Sequence, residues 1–170
     1  MIIMKPSFQI ETPIDRNKIL KRIEKAGRTC YKSEEKITED SASKFVKSVV
    51  DRGHLSVIEH ENISVRIICD RGVSHELVRH RIASYSQEST RYCNYHKKEI
   101  AFILPCWFVG VKEGQYSEQD IDDIKDNTSI PLDEELWINL VYKCQGVYNA
   151  LITRVQNGHL NKHDLFYQIR

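Results

Sequence analysis

An excess of charge of either sign is missing from this chain of 170 residues: 25 lysines and arginines meet 24 aspartates and glutamates, for a formal net charge of +1. A general nucleic-acid binder would usually carry a basic field across a whole face, so nucleic acid is not an expected partner. Paired cysteines are missing too. Cys30, Cys69, Cys93, Cys106 and Cys144 are scattered, with no CxxC pair and no four-ligand metal spacing. An odd count without a secretory signal points to reduced thiols in the cytoplasm. No stretch approaches the roughly 20 apolar residues of a membrane span, and MIIMKPSFQIE is too short an apolar run for a signal peptide. A cytoplasmic protein without a membrane partner is expected. GxGxxG, GxxxxGK[ST] and GxSxG are all absent, which excludes the two common nucleotide loops and the hydrolase elbow. There is no internal repeat or low-complexity segment, and the length suits one domain over residues 1–170.

Among the segments present, residues 2–12 read as an opening strand closed by Pro13. Asp15 can cap a helix in which Ile19, Leu20, Ile23 and Ala26 recur at helical spacing, with Gly27 at its end. A second helix is expected over residues 39–51, capped by Thr38 and stopped at Gly53, with Phe45, Val46, Val49 and Val50 as its buried stripe. Ile63, Val65, Ile67 and Cys69 alternate as in a strand with one face buried. Asp70 to Gly72 turn the chain into a short helix over residues 73–80, with Leu77 and Val78 inward. Residues 102–104 can form a short strand, and 110–115 are turn-like. A long helix follows over residues 132–156, with Pro131 suited to its first turn. Its apolar stripe comprises Leu136, Leu140, Val141, Cys144, Val147, Tyr148, Leu151, Ile152 and Val155.

The chemistry concentrates in RHRIASYSQESTRY at Arg79–Tyr92, where fourteen positions hold three arginines, one histidine, three serines, a threonine and two tyrosines. Such a segment cannot be core, because each guanidinium would need a buried anion to offset its desolvation. The arginines can each present a bidentate fork to phosphate, and Gln87 and Ser89 can bond a polar ring edge.

Other chemistries fit less well. His54, His60, His75 and His80 fall within 27 residues, with Glu59 and Glu76 among them. Their closest approach to a zinc motif, His75-Glu76 with His80, has one residue too many, so the imidazoles would diverge by about 140° on a helix. No metal is expected. A serine nucleophile beside His80 lacks its elbow, and Cys93 reads as a half-buried thiol rather than an activated one. Single-strand binding with Tyr85, Tyr92 and Tyr95 as stacking groups is a further, weaker alternative.

The order of residues in the cluster resembles the signature RHRxxSxxxxSxRY of the flavin-dependent thymidylate synthase family, matched by Arg79, His80, Arg81, Ser84, Ser89, Arg91 and Tyr92. GHLSVIEH at Gly53–His60 is similar to the family segment GHxSxxEH, and TCY at Thr29–Tyr31 to another near the N-terminus.

The resemblance implies an α/β (α+β) fold, a mixed sheet flanked by helices, and a homotetramer with active sites shared between subunits. It implies conversion of dUMP to dTMP, with methylenetetrahydrofolate as one-carbon donor and NADPH as reductant, through FAD. By position, Ser56, Arg79, His80, Arg81 and Gln87 would contact FAD. Glu76, Arg79, Gln87, Glu88, Ser89 and Arg91 would bind dUMP, and His54, Arg79 and Arg91 would be catalytic. Hydride transfer from a flavin needs no enzyme nucleophile, which fits the lack of a Cys or Ser triad. Two departures accompany the match. Ser86 and Gln87 stand where Asn-Glu is common, and HLNKHDLFYQIR occupies the place of an ARxVLP segment. The C-terminal part therefore reads as truncated, and the alternative to an active synthase is a non-catalytic member that keeps only flavin or nucleotide binding.

Overall fold

A computed structural model describes residues 1–89, 92–93, 95 and 98–161. The chain is a mixed α/β protein of helices and small sheets, and it divides into two compact units, one of residues 8–67 and one of residues 1–7 with 68–170.

In the unit of residues 8–67, helix α1 (Arg16–Cys30) is capped by Asp15, whose Oδ1 accepts the Lys18 N–H at 3.1 Å. The helix does not stop at Gly27 as expected. A Cβ at that position would lie 2.6 Å from Cε1 of Phe45 and 3.0 Å from Val57, so the glycine serves close packing inside the helix rather than its termination. Helix α2 (Ser41–Asp51) buries Ala42, Val46 and Val49, and with Ile23 and Val57 these side chains make the unit's core. Val50, expected inside, is exposed because it sits at the margin of that stripe. Glu24 is fully buried and compensated. Its Oε1 accepts from Arg28 Nη2 at 3.0 Å, its Oε2 accepts from Ser41 Oγ at 2.9 Å, and Arg28 also stacks on the Phe45 ring.

The expected opening strand is two strands, β1 (Ile2–Met4) and β2 (Ser7–Ile10), interrupted at Lys5-Pro6, because proline cannot donate to a ladder. Strand β2 pairs with β3 (Val65–Ile68). Of the alternating residues only Val65 and Ile67 lie in the strand, Ile63 and Cys69 falling outside it, and Ile63, Val65 and Ile67 are all exposed. Periodicity reports the pleat; burial needs a covering layer that a two-stranded ladder does not itself supply.

In the other unit, β1 is the middle strand of three. It runs parallel to β4 (Ala101–Ile103), with Ile3 opposite Phe102, and antiparallel to β5 (Gly114–Gln115), with Ile3 opposite Gly114. The stretch expected to be only a turn thus supplies an edge strand. Helix α3 (Arg71–Leu77) precedes β4 in the chain; its Leu77 is half-buried, but Val78, expected inward, is exposed. Helix α4 (Glu118–Asp126) has no counterpart in the sequence reading, although Ser117 and Asp120 form a reciprocal capping box at its start.

Helix α5 (Leu132–Gln156) has the expected bounds but a different buried face. Ile138 and Val141 point into a core shared with Met1, Ile3, Leu104, Val111, Ile121 and Ile124, and Ile152, further along the same face, is buried as well. At about 100° per residue, Leu136, Leu140 and Val147 fall on the opposite side, and they are exposed. The apolar residues expected as one stripe belong to two faces.

Candidate functional site

The sequence-expected site residues divide between the two units, with His54 and Ser56 in the unit of residues 8–67 and the Arg79 cluster in the other. Each group has its own local construction.

The approach to His54 is set by the end of α2. Gly53 adopts φ +73°, and its N–H donates to Val50 O at 2.9 Å while the His54 N–H donates to Val49 O at 3.0 Å. This pair of bonds is a Schellman closure, which requires a left-handed residue at the Gly53 position. The Gly of GHLSVIEH is thereby explained as geometry. A 3-10 turn over Leu55–His60 follows, burying Val57 and leaving Ser56 exposed. His54 is exposed too, and its Nδ1 lies 2.7 Å from the Tyr31 hydroxyl, with the two rings inclined by 26°.

The cluster at Arg79 begins where α3 ends. Asp70 caps that helix by accepting the Val73 N–H at 3.0 Å. Turns then carry the chain onward, as the Arg79 N–H donates to Glu76 O and the His80 N–H to Leu77 O. The RHR triplet therefore lies just past the helix end, whereas the sequence reading carries the helix on to His80. Arg79 is 76% exposed, and its Nε is 3.8 Å from the equally open Glu76 carboxylate. Among the described residues the Arg81 guanidinium has no ion-pair partner.

Although its cations are open, this segment is tied down at several points. Tyr85 donates to His80 O at 3.1 Å, and Gln87 Nε2 donates to Ser74 Oγ at 2.6 Å. The Tyr95 hydroxyl donates to the Glu88 carboxylate, and the Tyr95 N–H donates to the Tyr148 hydroxyl of α5 at 3.0 Å. Burial pushes the Tyr95 phenol well above its ordinary range, and the adjoining Glu88 charge adds to the shift. The Ser89 carbonyl accepts the Cys93 N–H at 3.0 Å, and Cys93 itself is half-buried. Arg91 lies outside the described residues.

Tyr31, Ser74, Tyr95 and Tyr148 were not singled out as partners of site residues by sequence. Tyr31 carried a signal through the TCY segment, while Tyr95 and Tyr148 stood out only as a stacking group and a member of the long helix's stripe. Among the described residues no group of three His, Cys, Asp or Glu side chains is arranged to hold a metal, and no helix is long and apolar enough to cross a membrane. The chemistry left open is anion recognition by Arg79, His80 and Arg81, with hydroxyl and amide donors alongside.

A family model described as thymidylate synthase complementing protein matches residues 14–162. Among similar curated proteins, the flavin-dependent thymidylate synthase of Mycolicibacterium vanbaalenii is 42% identical over 81 residues, 46% of this chain and 32% of that protein. The Mycobacterium leprae protein of the same name is 44% identical over 86 residues, 49% and 33% of the two chains. That of Geobacter sulfurreducens is 38% identical over 87 residues, 47% and 38%. The matches thus span roughly a third of the length of these relatives. No solved structure matches the chain.

Proposed function

We propose, because the chain belongs to the thymidylate synthase complementing protein family, that it acts as a flavin-dependent thymidylate synthase. The reaction takes dUMP to dTMP, with methylenetetrahydrofolate supplying the carbon and NADPH the reducing equivalents. The observation that carries this reading is the open cationic run at Arg79–Arg81, just past the end of α3, with its guanidiniums exposed, the His80 carbonyl bonded by Tyr85 and the Gln87 side chain bonded to Ser74. Charge left in water on a tied-down segment is available to a ligand without first breaking a buried pair.

The donor set fits the diphosphate of FAD: two guanidiniums, an imidazole and nearby hydroxyls within a few residues. Arg79, His80, Arg81, Ser56 and Gln87 would hold the cofactor, which when bound supplies hydride to the one-carbon unit on the pyrimidine. Glu76, Gln87, Glu88, Ser89 and Arg91 would bind dUMP, and Arg79 would face both ligands. His54, Arg79 and Arg91 are assigned the catalytic roles. A guanidinium stays charged near neutral pH, so Arg79 can stabilise negative charge that develops on the pyrimidine ring, while the other groups orient the reactants.

A homotetramer with sites shared between subunits is part of the proposal. The exposed Leu136, Leu140 and Val147 on one side of α5 give it a surface suited to subunit packing. A cytoplasmic location accords with the five free thiols.

The test is spectroscopic and then chemical. Purified protein mixed with FAD should show a perturbed flavin absorption band that shifts again on titration with dUMP. With folate and NADPH added, tritium should be released from dUMP labelled at the carbon that receives the methyl group. Failure to bind FAD overturns the proposal, whereas binding of FAD and dUMP without tritium release selects the non-catalytic alternative.

A further inference from the structure

We infer that Tyr31 is a positioning residue for His54: its hydroxyl donates to Nδ1 and fixes the neutral imidazole with its proton on Nε2, so that His54 offers a ligand a hydrogen-bond donor rather than a base. The assignment of His54 to the active site rests on the thymidylate synthase reading. The tautomer assignment rests on local geometry alone.

The Tyr31 oxygen and His54 Nδ1 are 2.7 Å apart, a full hydrogen bond, and either atom could in principle carry the proton. A phenol is a good donor and a poor acceptor, whereas the unprotonated nitrogen of a neutral imidazole is a strong acceptor. The pairing therefore favours O–H donating to Nδ1, and the proton on the imidazole is then confined to Nε2. The bond made by one ring nitrogen decides the chemistry of the other.

Both members are held from behind. Tyr31 follows the last turn of α1, its N–H donating to Arg28 O at 3.1 Å. The Arg52 guanidinium lies 5.9 Å from the centre of the Tyr31 ring, and Arg52 Nε is itself anchored on Ser48 O at 3.0 Å. On the other side, the Schellman closure at Gly53 fixes the His54 backbone. All of these groups lie within residues 28–54, inside one compact unit. A chance surface contact between two exposed side chains would lack this support on both sides. As a donor, the Nε2–H suits a carbonyl, a ring nitrogen lone pair or a phosphate oxygen.

The experiment is nitrogen NMR on the full chain labelled with 15N-histidine, at a pH of about 8, above the usual imidazole range. His54 is identified by the signal lost in His54→Gln. The expected spectrum shows an Nδ1 of the unprotonated, hydrogen-bond-accepting kind and a protonated Nε2. In Tyr31→Phe the Nδ1 signal should lose the hydrogen-bond shift, and the second tautomer should appear. Incorporation of 3-fluorotyrosine at position 31, read at a pH of about 7.5 where its more acidic phenol keeps its proton, retains the hydroxyl and makes it a stronger donor, so Nδ1 should move in the opposite direction; this arm serves also if the Phe variant fails to fold. A proton on Nδ1 in the unaltered protein, or an Nδ1 signal indifferent to both replacements, overturns the inference.

A kinetic arm tests the link to function. Loss of one positioning hydrogen bond should lower kcat about fivefold to tenfold in Tyr31→Phe while KM for dUMP stays within about twofold. A rise in KM with kcat unchanged would remove His54 as the route of the effect. If the unaltered chain makes no dTMP at all, the thymidylate reading fails, and the NMR result still decides the tautomer.

Discussion

Two ways of treating charge stand side by side in the unit that carries the Arg79 cluster. Glu134, in the first turn of α5, is only 2% exposed, and its carboxylate accepts from the N–H groups of Val109, Gly110 and Val111 at 2.7, 2.8 and 2.7 Å. The Arg79–Arg81 run is the opposite case, with open guanidiniums and one distant ion pair. A charge that serves the fold is enclosed and saturated with donors, because an unpaired buried charge costs several kcal/mol. A charge kept for a ligand remains in water, where it costs little and binds nothing strongly. The contrast separates a charge that the fold encloses and saturates from charges that it leaves in water.

The largest test of this contrast is Glu134→Ala. It would leave three backbone donors facing a void, so we expect about 3–5 kcal/mol of destabilisation in urea unfolding. Glu134→Gln sharpens the point through pH. Burial by itself would raise this carboxyl, but the three backbone donors outweigh it and hold the group below its ordinary range. A depressed folded pKa gives stability that is fully present above the unfolded value of about 4.3 and is lost as pH falls through the lower folded value. Glu134→Gln should accordingly flatten the acid limb of the stability profile. An unchanged limb would mean that the cradle does not distinguish carboxylate from amide.

Smaller effects are expected where glycine sets the backbone. Gly27→Ala puts a methyl group within 2.6 Å of the Phe45 ring. Overpacking of this kind costs about 1–3 kcal/mol, only partly offset by better helix propensity, and a fall in thermal midpoint would register it. At Gly53 nothing lies within 4 Å of an added Cβ, so the penalty is conformational alone. With φ at +73°, Gly53→Ala should cost about 1 kcal/mol, and the His54 amide should exchange faster with solvent as the Schellman closure weakens.

These two glycines also show what a sequence can and cannot reveal. Gly53 was legible as a helix stop, because local turn chemistry demands it. Gly27 was misread as another stop, since its reason is a neighbouring helix distant in sequence. The bounds of α5 were legible from its composition, but its apolar residues occupy two faces, and only the packing of Ile138 and Ile152 shows which is inside. Likewise β3 was legible as a strand from its alternation and misjudged in burial. At the candidate site, the motif residues announced themselves through residue type and order. Their partners did not, because Tyr31, Ser74 and Tyr148 are ordinary residues until the fold brings a hydroxyl within reach.

The smallest expected change in stability belongs to Arg79→Ala, and it is the one that decides the contrast. The side chain is 76% exposed and its pairing with Glu76 is long, so unfolding free energy should move by less than about 0.5 kcal/mol. Affinity is another matter. If this guanidinium contacts the flavin diphosphate or the nucleotide, its removal deletes a charge-assisted bond of about 1.5–3 kcal/mol, a loss of roughly tenfold to a hundredfold in binding by flavin fluorescence or dUMP titration. Arg66→Ala, an exposed cation on β3 away from the cluster in sequence, controls for general loss of positive charge. Equal losses of affinity in the two variants would show that the protein reads only net charge. A loss confined to Arg79→Ala, with stability unchanged, would establish that the open cations are kept for a ligand, since the fold itself makes no use of them.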